Sequence, residues 1–215
     1  MTAVKADNLK PTQQTKSALK ILRSADCYQQ KFRKFPFTAI AHSLAELQKM
    51  ALLEADKKVT SFVPQPFMLR VGKRRYVPDC FYERKGKKYV IELKPKGTDF
   101  DHIAEPVKKF LKSKNITYSV VSNESVYEQS ILAENWLYIV RTLNTSETVD
   151  TDLAENELRD ELYDGPLTIE QILSLGDRLD SSTREVAMFR MAWRGQIEMD
   201  LCETSISADT EVKLC

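Results

Sequence analysis

Between Gly86 and Pro95 the chain runs Lys87-Lys88-Tyr89-Val90-Ile91-Glu92-Leu93-Lys94. Side chains along a strand alternate between its faces, so Glu92 and Lys94 share one face while Ile91 and Leu93 share the other. Pro95 ends the ladder. Arg84 to Lys88 reads as a turn in which Gly86 supplies a positive φ. Two further segments, Phe67–Val71 and Arg75–Phe81, also read as strands. Together the three predict an antiparallel meander that brings Asp79, which follows Pro78, beside Glu92. The chain as a whole is of the α/β class.

Two adjacent carboxylates and a lysine can support divalent-metal chemistry. Mg²⁺ takes one or two carboxylates and completes its shell with water and substrate phosphate oxygens. A metal so held activates water and stabilises charge building on phosphorus. The same three residue types on an open strand face also make an ordinary solvated surface, and a motif this short recurs by chance. Upstream, Ser43 to Ala55 has apolar residues at helical spacing. Ser43 with Glu46 three residues later fits a capping box, and Glu46 is equally placed to be a third carboxylate of the site. His42 lies one turn before Glu46 on the same helical face, either touching the site or serving as a cap.

In order and at fitting spacing come Ser43-Leu44-Ala45-Glu46, Leu53-Glu54-Ala55-Asp56, Phe62-Val63-Pro64-Gln65-Pro66-Phe67, Arg75-Tyr76-Val77-Pro78-Asp79 and Ile91-Glu92-Leu93-Lys94-Pro95-Lys96. Together these resemble the TnsA endonuclease subunit of heteromeric transposases, over about residues 35–140 and more loosely in the tail. The resemblance implies a restriction-endonuclease-like nuclease core of the PD-(D/E)xK superfamily. It implies cutting of the 5′, non-transferred strand at transposon ends during cut-and-paste transposition. The implied partners are DNA, a TnsB-type DDE transposase that cuts and joins the 3′ ends, and a TnsC-type AAA+ ATPase. By motif position Glu46, Asp79, Glu92 and Lys94 carry the active site. Asp79 and Glu92 hold Mg²⁺ or Mn²⁺, with the Leu93 carbonyl as a further ligand and Glu46 on a second ion or acting through water. Lys94 orients or deprotonates the attacking water, or stabilises the phosphorane. As a base it needs a pKa below the ordinary value near ~10.4. Cys80, next to Asp79, faces the other way and is expected in the core.

Charge is unevenly distributed. Residues 1–120 hold 25 Lys and Arg against 11 Asp and Glu, and residues 121–215 hold 7 against 20. A basic half suits phosphate contact and counterion release. The candidates for DNA contact are Lys73, Arg74, Arg75, Lys87, Lys88 and Lys96, with a further run at Lys108, Lys109, Lys112 and Lys114. Surface lysines that only keep the domain dissolved are the simpler alternative.

The expected organisation is a basic extension over 1–35, the endonuclease domain over 36–145, an acidic linker over 146–165 and a winged-helix-like module over 166–215. The first 15 residues are expected to be flexible and Ala18–Tyr28 helical. Phe100–Ser113 reads as a helix, Ile116–Val121 as a strand, and Glu124–Leu143 as a helix packed on the sheet. The linker holds a short helix at Leu153–Leu162. In the tail, a helix from Leu167 stops at Gly176, a second runs from Ser182 to Arg194, and Ile197–Cys202 pairs with Glu211–Cys215. Arg184, Arg190 and Arg194 lie on that second helix, the one that reads DNA in such folds, although the acidic background favours a protein partner. No signal peptide and no membrane-length apolar run is visible, and four widely spaced cysteines point to neither zinc nor disulfides. A cytoplasmic protein without its own ATPase activity is expected. The rival readings are a standalone restriction or repair nuclease, and a non-catalytic DNA-binding scaffold.

Overall fold

The computed structural model describes residues 3–6, 8–15, 26–174 and 178–215. It is a mixed α/β protein that divides into two compact units, Met1–Ser130 and Ile131–Cys215. No helix among the described residues is long and apolar enough to cross a membrane.

In chain order the first unit contains β1 (Val4–Ala6), β2 (Tyr28–Lys31), β3 (Thr38–Ala41), α1 (Leu44–Ala55), β4 (Val59–Pro64), β5 (Leu69–Val71), β6 (Arg74–Tyr76), β7 (Cys80–Arg84), β8 (Lys87–Lys94), α2 (Asp101–Lys112), β9 (Ile116–Ser122) and α3 (Asn123–Tyr127). The central sheet has the order β4-β7-β8-β9. Its first three strands are antiparallel, and β9 runs parallel to β8. A parallel neighbour needs a crossover connection, which α2 supplies. Ala104, Val107 and Leu111 of α2 are buried at helical spacing, and the helix packs on β9. The β7–β8 turn has Lys85 at φ 50 and Gly86 at φ 71. Two central residues with positive φ match the twist of a tight hairpin, which explains the glycine.

The expected three-stranded meander is not what forms. Arg75–Phe81 splits, because Pro78 has no N–H for the ladder and restricts Val77 before it. β6 ends at Tyr76 and joins a second sheet of order β1-β5-β6, while β7 begins at Cys80 and pairs with β4. One apolar core lies between this small sheet, α2 and strands β7 to β9; it includes Leu69, Tyr76, Phe81, Val90, Val107 and Tyr118.

Residues expected to form a loose extension are built into the unit. β1 pairs with β5, Gln14 is buried, and the Phe32 and Phe35 rings pack on Phe62 at 5.3 and 6.2 Å. The helix expected over Ala18–Tyr28 falls mostly outside the described residues, and Tyr28 opens β2. Lys34 Nζ donates to the carbonyls of Leu53, Glu54 and Asp56, satisfying acceptors that the C-terminus of α1 leaves open.

The second unit contains α4 (Ser130–Thr145), α5 (Asp152–Tyr163), β10 (Leu167–Thr168), α6 (Ile169–Ser174), α7 (Arg178–Arg194), β11 (Ile197–Met199) and β12 (Glu211–Leu214), with a sheet of order β10-β12-β11. The helix expected over Glu124–Leu143 is interrupted between α3 and α4. Within α4, Asn135 donates to the carbonyls of Leu201 and Thr204 at 3.0 and 2.8 Å and accepts from Ile206 N–H at 3.0 Å. The boundary expected at 145 therefore falls near 130. The acidic linker is mostly α5, whose Leu158 and Leu162 are buried and which packs on α7 and β12. The stop expected at Gly176 lies outside the described residues. Gly195, at φ 73, ends α7 as its sequence position implies.

Candidate active site

The last β7–β8 pair is Cys80 with Ile91, and the last β4–β7 pair is Pro64 with Cys80. One residue further on, Gln65, Asp79 and Glu92 stand in a row across the sheet on one face. Two bonds fasten the row. Gln65 N–H donates to the Asp79 carbonyl at 2.8 Å, and Leu93 N–H donates to Asp79 Oδ2 at 2.6 Å. Leu93 and Cys80 point to the opposite, buried face. The β7–β8 ladder stops here because Pro78 has no N–H to extend it.

Glu92 is 3% exposed and accepts from Tyr76 Oη at 2.6 Å and from Lys94 Nζ at 2.5 Å. Tyr76 Oη also shares a hydrogen bond with Tyr118 Oη at 3.0 Å. Burial, together with the Glu92 charge, raises the Tyr76 pKa, so the phenol keeps its proton and remains the donor. The Lys94 ammonium lies 4.9 Å from the centre of the Phe100 ring, a cation–π contact that fixes the other side of its head group. Among the described residues Asp79 has no such cation at bonding distance. Burial, then Glu92, then Glu46 push its carboxyl well above the usual range, against the Leu93 N–H and the Lys94 charge. Burial likewise raises Glu46.

Glu46 is anchored within the protein. Its Oε2 accepts from His42 N–H at 3.0 Å and from Gln65 Nε2 at 2.7 Å, while Ser43 Oγ accepts from Glu46 N–H at 3.2 Å. Among the described residues no three His, Cys, Asp or Glu side chains stand close enough to hold an ion jointly. The pair that does adjoin is Asp79 with Glu92. Two hard, oxygen-bearing carboxylates, one of them raised by the charge of the other, fit Mg²⁺ or Mn²⁺ with water filling the remaining positions. Glu46 is placed to act on that pair through its field and through Gln65.

The DNA-contact candidates separate. Lys96 is exposed two residues beyond Lys94, its N–H donating to Glu124 at 2.9 Å. Lys73, Arg74 and Arg75 are exposed on the β5–β6 hairpin, where Arg74 Nη1 lies 3.2 Å from His102 Nε2. Lys87 and Lys88 are not beside the carboxylates. They sit at the far end of the β7–β8 hairpin, Lys88 opposite Glu83 and four residues from Glu92, or roughly 13 Å at the rise of a strand. The spacing in sequence conceals this because the turn folds the intervening residues away from the site.

Sequence reasoning assigned no role to Tyr76, Tyr118, Gln65 or Gln14. Gln65 is buried at φ 36, a left-handed conformation that is strained for a residue with a side chain. Its amide links Glu46 to Gln14, which in turn donates to and accepts from the Ile40 backbone at 2.6 and 3.1 Å. A glutamine between two prolines was the one available signal, and it marks a turn rather than a polar network. Comparison with protein-family models finds no match, and comparison with curated proteins finds none.

Proposed function

We propose that the chain is a metal-dependent DNA endonuclease of the TnsA type, cutting the 5′ strand at transposon ends beside a DDE transposase and an AAA+ ATPase. The observation that carries this reading is the cross-strand Asp79–Glu92 pair, with Lys94 two residues on, where the β7–β8 ladder of a mixed sheet ends. A nuclease core with that arrangement agrees with the motif resemblance. Bound Mg²⁺ or Mn²⁺ would be held by Asp79 and Glu92 with the Leu93 carbonyl, and would supply Lewis acidity toward a phosphate. Lys94 places a positive charge where the phosphorane develops its negative charge, held there by Glu92 and Phe100. Water adds to phosphorus, the bond to the leaving oxygen breaks, and that oxygen takes a proton. The second unit, whose residues 166–215 read as winged-helix-like, is assigned to a protein partner. Exposed Leu153 and Tyr163 on α5 support that assignment.

The test is strand-specific cleavage of element-end DNA with the transposase and ATPase present. Asp79→Ala is expected to lose 5′-strand cutting by at least about 10³-fold while 3′ joining persists, the scale of removing a group that stabilises the transition state. Unchanged 5′ cutting by that variant overturns the catalytic reading. Cutting by the purified wild type with metal alone replaces it with a standalone nuclease.

A further inference from the structure

Lys5, Arg70 and Arg75 stand side by side across the β1-β5-β6 sheet. The register pairs Lys5 with Arg70 and Arg70 with Arg75. All three are exposed, whereas Leu69, Val71 and Tyr76 on the same strands turn into the core. Like charges directly opposed on neighbouring strands destabilise a sheet. No acid lies in β1, β5, β6 or the Gly72-Lys73 turn to offset them, and none of the three has an ion-pair partner among the described residues. A row kept at such a disadvantage suits an outside ligand of the opposite charge.

We propose that this outer face binds the phosphate backbone of duplex DNA. The choice of DNA rests on the nuclease reading above. Strands about 4.8 Å apart make the row roughly 10 Å long, and a DNA strand advances 3.4 Å per phosphate, so the row faces about three phosphates. Two of its members are arginines, whose guanidinium groups pair with phosphate in a bidentate manner. Tyr76, the residue after Arg75, reaches Glu92 from the inner face. The row therefore grips phosphates remote from the cut bond, contributing affinity rather than chemistry.

The experiment is fluorescence anisotropy of the full chain on a short labelled duplex, without divalent metal, over a range of KCl concentrations. Lys5→Gln/Arg70→Gln/Arg75→Gln is expected to lower the slope of log affinity against log salt by about 2.7, three contacts at about 0.9 each. Arg70→Gln alone, the mildest change, is expected to lower it by about 0.9 and serves if the triple variant does not fold. An unchanged slope in a variant with wild-type circular dichroism and melting overturns the proposal. So does an unchanged slope accompanied by lost binding to polyglutamate, which would assign the face to an acidic protein. Metal-dependent cutting with an unchanged slope removes the row and leaves the nuclease. A reduced slope in a chain that never cuts removes the nuclease and leaves the row.

Discussion

The two units treat buried charge in opposite ways. The first carries an excess of Lys and Arg, yet at its candidate site two acids, buried Glu92 and partly buried Asp79, are set against one another. The second carries an excess of Asp and Glu, yet buries an arginine among acceptors. Arg184, 5% exposed, donates to the Ile172 carbonyl at 2.8 Å, to Glu157 at 3.5 Å and to Glu161. Arg190 donates to the carbonyls of Val149 and Ser146 and to Thr151, and Arg194 pairs with Glu155 at 2.6 Å. A buried charge surrounded by partners holds a fold together. Two carboxylates set side by side, with one ammonium on Glu92, leave room for a further cation. Of the three arginines of α7 that the sequence offered as a DNA-reading set, Arg184 and Arg190 are thus occupied as internal ties, and exposed Arg194 is paired with Glu155. That removes the main argument for DNA contact by this helix.

The contrast is open to three breaks, beginning with the largest effect. Arg184→Ala should destabilise the second unit by about 2–4 kcal/mol in denaturant unfolding, since it strands the Ile172 carbonyl and a half-buried glutamate; the partial exposure of the glutamates keeps the loss below that of a fully buried pair. A loss under ~0.5 kcal/mol would make the arginine cluster a surface feature after all.

Asp79→Asn should do the reverse in the first unit, raising metal-free stability by about 1–2 kcal/mol at neutral pH, as removal of a strained functional charge does. The sign follows from linkage. The folded carboxyl holds its proton to a higher pH than the unfolded one, so its stability contribution is complete below about pH 4 and is lost as pH rises through the raised folded value. The variant should flatten that decline in a melting series and lose the Mg²⁺-induced rise in Tm. A steeper decline in the variant would show that Asp79 is a paired structural carboxylate.

Tyr76→Phe is the mildest, at about 1 kcal/mol, because it removes one hydroxyl shared between Glu92 and Tyr118. Calorimetric titration with Mn²⁺ should show weaker binding as Glu92 loses its anchor. Unchanged affinity would place the Tyr76 hydroxyl outside the metal-holding framework.

Much of the first unit was legible. Period-two alternation at Ile91-Glu92-Leu93-Lys94, Gly86 in the turn and Ser43 before α1 are local signals, and the structure has a strand, a tight hairpin and a capped helix there. The role of Tyr76 was not legible, because an inward-facing tyrosine in a short strand looks like core until the register shows what its hydroxyl meets. The domain boundary failed for a related reason. The amphipathic pattern of Ile131–Leu143 says that one face is buried, but the partner of that face is fixed by Asn135 reaching residues about seventy positions away.

The sequence by itself singled out Asp79, Glu92 and Lys94 as candidates for phosphodiester chemistry, the strand that carries Glu92 and Lys94, and the positive charge that gathers in the first half. Tertiary structure decided which charges have partners. It gave Glu92 a tyrosine and a lysine and, among the described residues, left Asp79 without a cation at bonding distance. It also turned Arg184 inward, tied Arg190 and Arg194 to acceptors within the second unit, and aligned Lys5, Arg70 and Arg75 on one exposed face. The physical reason is that pairing and burial depend on distances between residues far apart in the chain, which local pattern does not encode.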